Sequence, residues 1–540
     1  MYSITKWIKG NRDEAILILL IAVFFFVYSS FYLGTAVASS KFNSPDETAN
    51  FFFIRNYVES GTLKVFEPLN FLAEGRIAPR SIAAVDGYLV PGSFFGLILI
   101  YGWLAKIFTL NIVWFLTPFF SGAAVFCFYK ILGKVFDRRI AFWSALLLLA
   151  HPAFWYYASR GFFPNVLFIS LLIIGFYFLA GRETPKTTVR NYIEYILAGL
   201  FLGLALTVRL SEAIWVGGVL FLLWIIYRKQ VVWLRIILFL VFAFLSFVPV
   251  LAYNQIFYGN YFRTAYTLGG GAALGEVSWF SSVVKLFFPF GLEVKNVLKF
   301  FSTYFVGMFW WLAAPLTFGL IVFLKKLIAG KLDKKVKTYL LVGGLASLFL
   351  FCYYGSWFFY DNPAKEASIG TSYVRYWLPA YILSLPFIVF ALIKLVEFVN
   401  FRKKILAAIL CLIYLLFGIQ LTFLDKNDGL AYVSANVKSY AEIARTVNSI
   451  IPSDAVIVVD RADKIFFPEH RVISPLRDDG TYALIPKLVK ILPLYYYGLP
   501  LTQKEIDLIY QNKLDIEVVQ MEKIGDFGAE SLYKFIEVKK

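Results

Sequence analysis

The sequence predicts an all-α polytopic membrane protein of about eleven transmembrane helices, followed by a small C-terminal α/β domain on the extracytoplasmic side. Three observations lead there. Of 540 residues, 60% are hydrophobic and only 16% are charged, which is more apolar surface than one soluble core can bury. Apolar stretches of the roughly 20 residues that a bilayer core requires recur as far as residue 424 and then stop. From Asp425 onward there are 15 basic and 17 acidic residues, so the net charge of +17 resolves into −2 for the tail and +19 for the rest. That positive charge lies in short loops between apolar runs, the pattern of a membrane protein rather than of a nucleic-acid surface. Membrane lipid is therefore an expected partner and nucleic acid is not.

Lys6, Lys9 and Arg12 precede the first apolar run, 15–37, and place the N-terminus in the cytoplasm. The run has no small-residue cleavage site and reads as a retained helix. The loop that follows, 37–110, is then external. It contains SPDETANFFFIRNYVESG, an amphipathic helical pattern, and a second apolar run at 92–110.

Charge decides what that second run does. If 92–110 does not cross, Lys134 with Arg138 and Arg139, Arg182 with Lys186 and Arg190, Arg228 with Lys229 and Arg235, and the basic stretches 325–337 and 394–404 all fall inside. If it crosses, all of them fall outside, so the positive-inside bias selects an interfacial or re-entrant helix.

The remaining spans are expected near 111–133, 140–157, 165–181, 192–208, 212–227, 236–257, 301–324, 338–356, 376–393 and 405–424. A second long external loop, 258–300, carries LGGGAALG, whose glycines suit a mobile or closely packed backbone. The transmembrane domain thus covers 1–424. The tail, 430–540, alternates a helical stretch at 437–451, a strand at 455–460, a helix at 503–510 and strands at 515–521 and 532–538, the pattern of a small α/β domain.

Cys127, Cys352 and Cys411 fall inside apolar spans, and His151 and His470 are the only histidines. Neither a zinc site nor a disulfide framework can be built from them, and no cofactor is expected. His151, beside Pro152 in a span, reads as a satisfied membrane histidine. The aromatic runs at Phe24 to Phe26 and at Trp310 and Trp311 read as lipid-facing or belt residues.

The chemistry-bearing candidates begin just beyond the first span. Ser44-Pro45-Asp46-Glu47 matches a capping box, with Ser44 as N-cap, Pro45 in the first helical position and Glu47 three residues on. A carboxylate at such a helix start, facing a membrane cavity, can also accept a proton from a hydroxyl. The two readings are compatible: Glu47 caps while Asp46 reacts.

Asp46 and Glu47 in a long first external loop, an amphipathic helix, and then Val90, Pro91, Gly92, Phe94 and Gly96 as V-P-G-x-F-x-G together resemble the protein O-mannosyltransferase and aminoarabinose transferase group of GT-C membrane glycosyltransferases. HPAFWYYASRGFFPNVLF is similar to that group's second external loop, with Ser159 and Arg160 in the serine-arginine pair. Asn165 stands where many members have aspartate. GLFLGLALTVRLSEAIW, with Arg209 and Glu212, resembles the following G-x-x-x-G span and its turn. SYVRYWLPAYIL, with Arg375, Tyr376 and Pro379, resembles the R-Y-x-x-P element of a late span.

The resemblance implies an inverting transfer of a sugar from a polyprenyl-phosphate donor to a hydroxyl acceptor, which is protein, lipid or glycan, outside the cytoplasm. Asp46 would be the general base. It also implies a metal-free reaction, which the loss of a carboxylate at Asn165 favours. Such a donor leaves a phosphate at headgroup level, and cations there stabilise the developing charge. Arg375 is the foremost candidate, because a guanidinium matches phosphate oxygens and an arginine at a span boundary is costly unless paired. Snorkelling to the headgroups is its alternative. Tyr376 and the cations Arg160, Arg209, Lys365, Arg55 and Arg263 fall on the same outer side, and the alternative for most of these cations is an ordinary interfacial charge. The rival class is a lipid or glycan transporter or flippase, which shares the many spans but predicts two matched halves rather than a long acidic first loop.

Overall fold

The structure, a computed structural model, describes residues 11–180, 189–265, 291–360, 366–399 and 402–538. Lys365 and the LGGGAALG segment lie outside these residues. Among them, nine helices are long and apolar enough to cross a bilayer, and the pair Arg138–Leu149 and Pro152–Ser159, bent by 49°, is either a tenth, broken span or a re-entrant loop. The bend falls at His151-Pro152, where proline supplies no backbone N–H to continue the helix. Helix Pro164–Leu179, expected as another span, has 16 residues. At 1.5 Å per residue it reaches about 24 Å, less than the hydrocarbon core. Its first three turns are buried, so protein rather than lipid surrounds them. The chain is a mostly helical, multi-pass membrane protein with a C-terminal sheet domain.

Two compact units make up the chain. The helical unit comprises Met1–Phe31, Trp114–Pro249 and Ala272–Tyr432. Its outer surface is apolar: Phe26 is 69% exposed, Phe244 61% and Phe398 87%, as lipid-facing side chains are. Inside, small residues allow backbones to approach. A Cβ on Gly199 or Gly203 would come 2.2 and 2.6 Å from the carbonyl oxygens of Phe239 and Ala243, so helix Val189–Val208 packs on Trp233–Tyr258 through a small-xxx-small face. Of the aromatic runs, Phe26 and Trp310 are exposed, whereas Phe24 packs edge-on to Trp155 and Trp311 stacks on Phe417.

The second unit comprises Tyr32–Val113, Val250–Gly271 and Val433–Lys540, so the first loop and the tail fold together. The loop contributes a three-stranded antiparallel sheet of β1 (Val65–Phe66), β2 (Ile82–Val85) and β3 (Tyr88–Pro91) in the order β1-β3-β2. The tail contributes β4 (Val456–Val459), β5 (Arg471–Ile473), β6 (Leu494–Gly498), β7 (Val519–Phe527) and β8 (Glu530–Glu537) in the order β5-β4-β6-β8-β7. β4 is parallel to β5 and β6, and the β7-β8 hairpin closes the sheet antiparallel to β6. Parallel strands buried on both faces read as unbroken apolar runs, and VIVV of β4 is fully buried.

Loop and tail are joined by both apolar and ionic contacts. Ala73 and Ile77 belong to the core under the tail sheet, and Ile77 bridges to Ile473 on edge strand β5. Arg80 binds Asp463 through its backbone N at 2.9 Å, Nε at 3.0 Å and Nη2 at 2.6 Å, and Asp463 is 1% exposed. Arg471 pairs with Glu67 at 2.9 Å, and Arg76 pairs with Asp478. Lys41, 4% exposed, lies 2.5 Å from Glu469; burial draws its ammonium below the usual lysine range, and Glu469 works against that.

Helix Gly96–Ile107 belongs to this unit. Its 12 residues reach about 18 Å, too short to cross the bilayer alone. It packs on helix Pro45–Ser60, where Gly102 faces the Tyr57 ring and Lys106 Nζ lies 4.0 Å above that ring.

Candidate active site

In the loop unit the capping box forms as the sequence requires. Pro45 opens helix Pro45–Ser60, Ser44 Oγ accepts from the Asp46 N–H at 3.3 Å, and Glu47 Oε2 accepts from the Ser44 N–H at 3.1 Å. Glu47 is 1% exposed, and its Oε1 accepts from the Tyr32 hydroxyl at 2.7 Å. Both its oxygens are engaged in holding the turn.

Asp46 is only half-buried, and its Oδ1 accepts from Ser81 Oγ at 2.6 Å. Ser81 adopts a left-handed φ of 64°, which a non-glycine residue holds only when its surroundings dictate it. Those surroundings are the V-P-G element. The Gly92 N–H donates to the Ser81 carbonyl at 3.0 Å, and a Cβ on Gly92 would sit 2.7 Å from the Ser81 carbonyl carbon and oxygen. Pro91 is fixed in turn by Tyr258, whose hydroxyl donates to its carbonyl at 3.1 Å, and Phe95 stacks on the Tyr258 ring. The motif thus clamps Ser81, and Ser81 orients the carboxylate.

In the helical unit, arginines from three separate loops meet. Arg160 ends helix Pro152–Ser159, Arg209 lies between Val189–Val208 and the span that begins at Leu210, and Arg375 lies in the short helix Ser372–Tyr376. Aromatic rings link them in series. Arg160 Cζ lies 4.8 Å and Arg375 Cζ 5.0 Å from the Phe163 ring centre, while Arg375 and Arg209 approach the Tyr376 ring at 5.1 and 4.6 Å.

Each guanidinium is also tethered by hydrogen bonds. Arg160, 3% exposed, donates to the Tyr156 hydroxyl at 2.6 Å, and Arg375 Nη2 donates to Ser372 Oγ at 2.8 Å. Arg209 Nε and Nη2 donate to Glu212 Oε1 at 3.0 and 2.7 Å. The Tyr354 hydroxyl donates to the same oxygen at 2.5 Å, and Trp215 Nε1 donates to Oε2 at 2.6 Å.

Asn165 ties this group to its own helix, because its Nδ2 donates to the Arg375 carbonyl at 3.3 Å. An aspartate there has no such proton when ionised. The loop of Arg160 is pinned by Gly161, whose carbonyl accepts from Thr117 Oγ1 at 2.6 Å and whose missing side chain leaves room for that threonine.

The remaining candidates stand apart. Arg55 is solvent-exposed and pairs with Glu59 four residues on at 2.7 Å. Arg263 is exposed in the stretch after helix Trp233–Tyr258. His151 is buried between the rings of Phe309 and Tyr381, with Nδ1 lacking a hydrogen-bond partner among the described residues; the sequence had suggested a satisfied one. Among the described residues no cluster of three or more His, Cys, Asp or Glu has a metal-binding arrangement.

Some participants were out of sequence reach. Ser81 and Tyr354 lie 35 and 142 residues from their partners. Tyr156 and Trp215, by contrast, sit four and three residues from Arg160 and Glu212, spacings at which helical neighbours meet.

This arrangement of spans and tail shares its fold with solved structures of an aminoarabinose transferase and an oligosaccharyltransferase. No protein-family model and no curated protein matches the sequence. Among solved structures, the aminoarabinose transferase ArnT from Cupriavidus metallidurans, bound to undecaprenyl phosphate, matches over 96% of this chain and 97% of its own at a TM-score of 0.50 and 12% identity. The Archaeoglobus fulgidus oligosaccharyltransferase in the apo form matches over 95% of this chain and 74% of its own, with a TM-score of 0.54 and 13% identity. The same archaeal enzyme, AglB, in complex with an inhibitory peptide and a dolichol-phosphate, matches over 97% and 74% at a TM-score of 0.52 and 10% identity.

Proposed function

We propose that the chain is a membrane glycosyltransferase that moves a sugar from a polyprenyl-phosphate carrier to a hydroxyl acceptor on the extracytoplasmic face, with inversion at the anomeric carbon. The observation that carries this reading is the arginine group. Arg160, Arg209 and Arg375 come from three loops yet share the Phe163 and Tyr376 rings. Guanidiniums drawn together at span boundaries suit a phosphate at headgroup depth. The solved structures of this fold bound to undecaprenyl phosphate and dolichol-phosphate support the same donor class.

In the proposed reaction, Asp46 accepts the acceptor's hydroxyl proton as that oxygen bonds to the anomeric carbon from the face opposite the leaving group. The bond from that carbon to the phosphate oxygen breaks, and its electron pair leaves with the polyprenyl phosphate. The arginines stabilise the added negative charge. Glu47 and Ser81 hold Asp46 in place, and Tyr376 positions Arg209 and Arg375. In this orientation the N-terminus is cytoplasmic and the tail extracytoplasmic.

The test is transfer of labelled sugar by the purified chain from a synthetic polyprenyl-phosphate donor, with a nucleotide sugar as the comparison. The reading expects transfer from the lipid donor alone, with the anomer inverted, and a fall of about 100-fold or more in Arg375→Ala, the scale of losing one preorganised charge-stabilising group. Transfer from the nucleotide sugar, or full activity in Arg375→Ala, overturns it.

A further inference from the structure

At the end of the helical unit remote from the arginine group lies a cavity of about 860 Å³. Helix Leu378–Val399 connects the two ends: Arg375 precedes it, and Lys394 and Glu397 line the cavity near its last turn. Its 22 residues span about 33 Å, so the cavity is a separate place. It opens among the ends of several spans, where Lys134 closes helix Val113–Val135, Lys326 closes Trp310–Ile328, and Lys334–Gly355 begins.

Two kinds of surface meet there. The wall is apolar and aromatic, with Phe136, Phe323, Phe390, Ile140 and Val336. The rim holds seven lysines and arginines against three carboxylates, a balance of +4. Two of the three carboxylates have local duties. Asp137 caps helix Arg138–Leu149 by accepting from the Ile140 N–H at 2.8 Å, and Glu397 is shared by Arg139 at 2.9 Å and Lys394 at 2.7 Å. Lys326 is held over the Phe323 and Phe390 rings at 5.5 and 5.1 Å, its ammonium stationed above the apolar wall.

Lysines spread along a loop need only anchor a protein at the membrane surface. Lysines ringing a cavity with an aromatic wall, at the depth where spans end, match one object: a phosphate with acyl chains behind it. We infer that this cavity binds the phosphodiester headgroup of an anionic phospholipid, in the leaflet opposite the arginine group. The rim cations meet the phosphate, and the wall meets the glycerol backbone and first methylenes. Basic pockets between spans are a general means of anionic-lipid recognition. The site is independent of the glycosyl-transfer reading.

Native mass spectrometry of the detergent-purified full chain, titrated with phosphatidylglycerol, phosphatidylcholine or inorganic phosphate, tests this. One phosphatidylglycerol is expected to bind at least tenfold tighter than phosphatidylcholine. Each cation removed is expected to cost about fivefold, so Lys326→Gln with Lys394→Gln weakens binding roughly 25-fold. Arginine at both positions restores it, which separates loss of charge from misfolding. The comparison variant, Lys229→Gln with Lys404→Gln, changes the same net charge outside the cavity and is expected to bind like wild type. An equal loss in both double variants reduces the effect to general surface attraction and overturns the site. Displacement of the lipid by millimolar inorganic phosphate overturns the lipid assignment.

Discussion

Glu212 offers the sharpest test of how the arginine group is built. Its Oε1 accepts three bonds, two from Arg209 and one from Tyr354, and its Oε2 accepts one from Trp215. The Arg209 and Glu212 side chains are only 10% and 3% exposed. Replacing Glu212 with Gln leaves one acceptor oxygen and puts an NH2 where the structure needs a second acceptor. It also strands a buried guanidinium without its counter-charge. Breaking a buried ion pair by removing one partner costs about 3–5 kcal/mol, whereas removing both together is often near neutral. Thermal unfolding of the purified chain should therefore show a large loss for Glu212→Gln and for Arg209→Met alone. The double variant Arg209→Met with Glu212→Met should be more stable than either single change, with a coupling of at least about 1–2 kcal/mol. On the proposed reaction it should still lack transfer activity, because one of the three arginines assigned to the donor phosphate is gone. Additive losses in the double variant, or a Glu212→Gln protein as stable as wild type, would refute the buried-pair argument.

Gly92→Ala would press a Cβ to 2.7 Å from the Ser81 carbonyl and loosen the bond that orients Asp46; turnover should fall by up to about 100-fold, while Gly343→Ala, whose nearest neighbours lie at 3.7 Å, stays at wild-type level. Phe163→Leu removes the buried ring shared by Arg160 and Arg375, an effect of about 1–2 kcal/mol; steady-state kinetics should show a roughly tenfold higher donor KM, with the melting temperature lower by a few degrees at most. Burial draws the His470 imidazole below its usual 6.5, outweighing the Ala455 backbone bond and Glu469, which pull upward. The unfolded chain therefore takes up the proton first, and the stability His470 contributes, complete above about 6.5, is lost as pH falls from there toward the folded value. Melting temperatures at pH 7.5 and 5.5 should accordingly differ less in His470→Gln than in wild type.

Much of the fold was legible because the bilayer imposes a coarse rule. A span must be long and apolar, so most of the spans, and the short length of helix Gly96–Ile107 among them, could be read without any contact information. Local chemistry was legible for the same kind of reason: Ser44, Pro45 and Glu47 form their capping box from neighbours within one turn. Helix Pro164–Leu179 shows where the rule weakens, since its first three turns are buried by neighbouring protein and its length need not match the bilayer.

The candidate site was legible as a set of residues but not as an arrangement. Arg160, Arg209 and Arg375 could be named from their motifs; that two aromatic rings join them follows only from packing across more than two hundred residues. Likewise Gly92 and Asp46 belong to recognisable motifs, whereas Ser81, which joins them, sits in no pattern and adopts a backbone conformation that its sequence does not advertise. The union of the first loop with the tail depends on pairs such as Arg80 with Asp463, nearly four hundred residues apart, and periodicity is blind to contacts at that range.

The central claim is that the Asp46 carboxylate takes the acceptor's proton, and single-turnover transfer by Asp46→Asn measures it most directly. The amide oxygen can still accept from Ser81, and the lost charge at the helix start costs about 0.3–1 kcal/mol, so the melting temperature should barely move. The account predicts a rate lower by about 100- to 10,000-fold with donor binding retained. A variant that turns over at the wild-type rate, folded and loaded with donor, contradicts it.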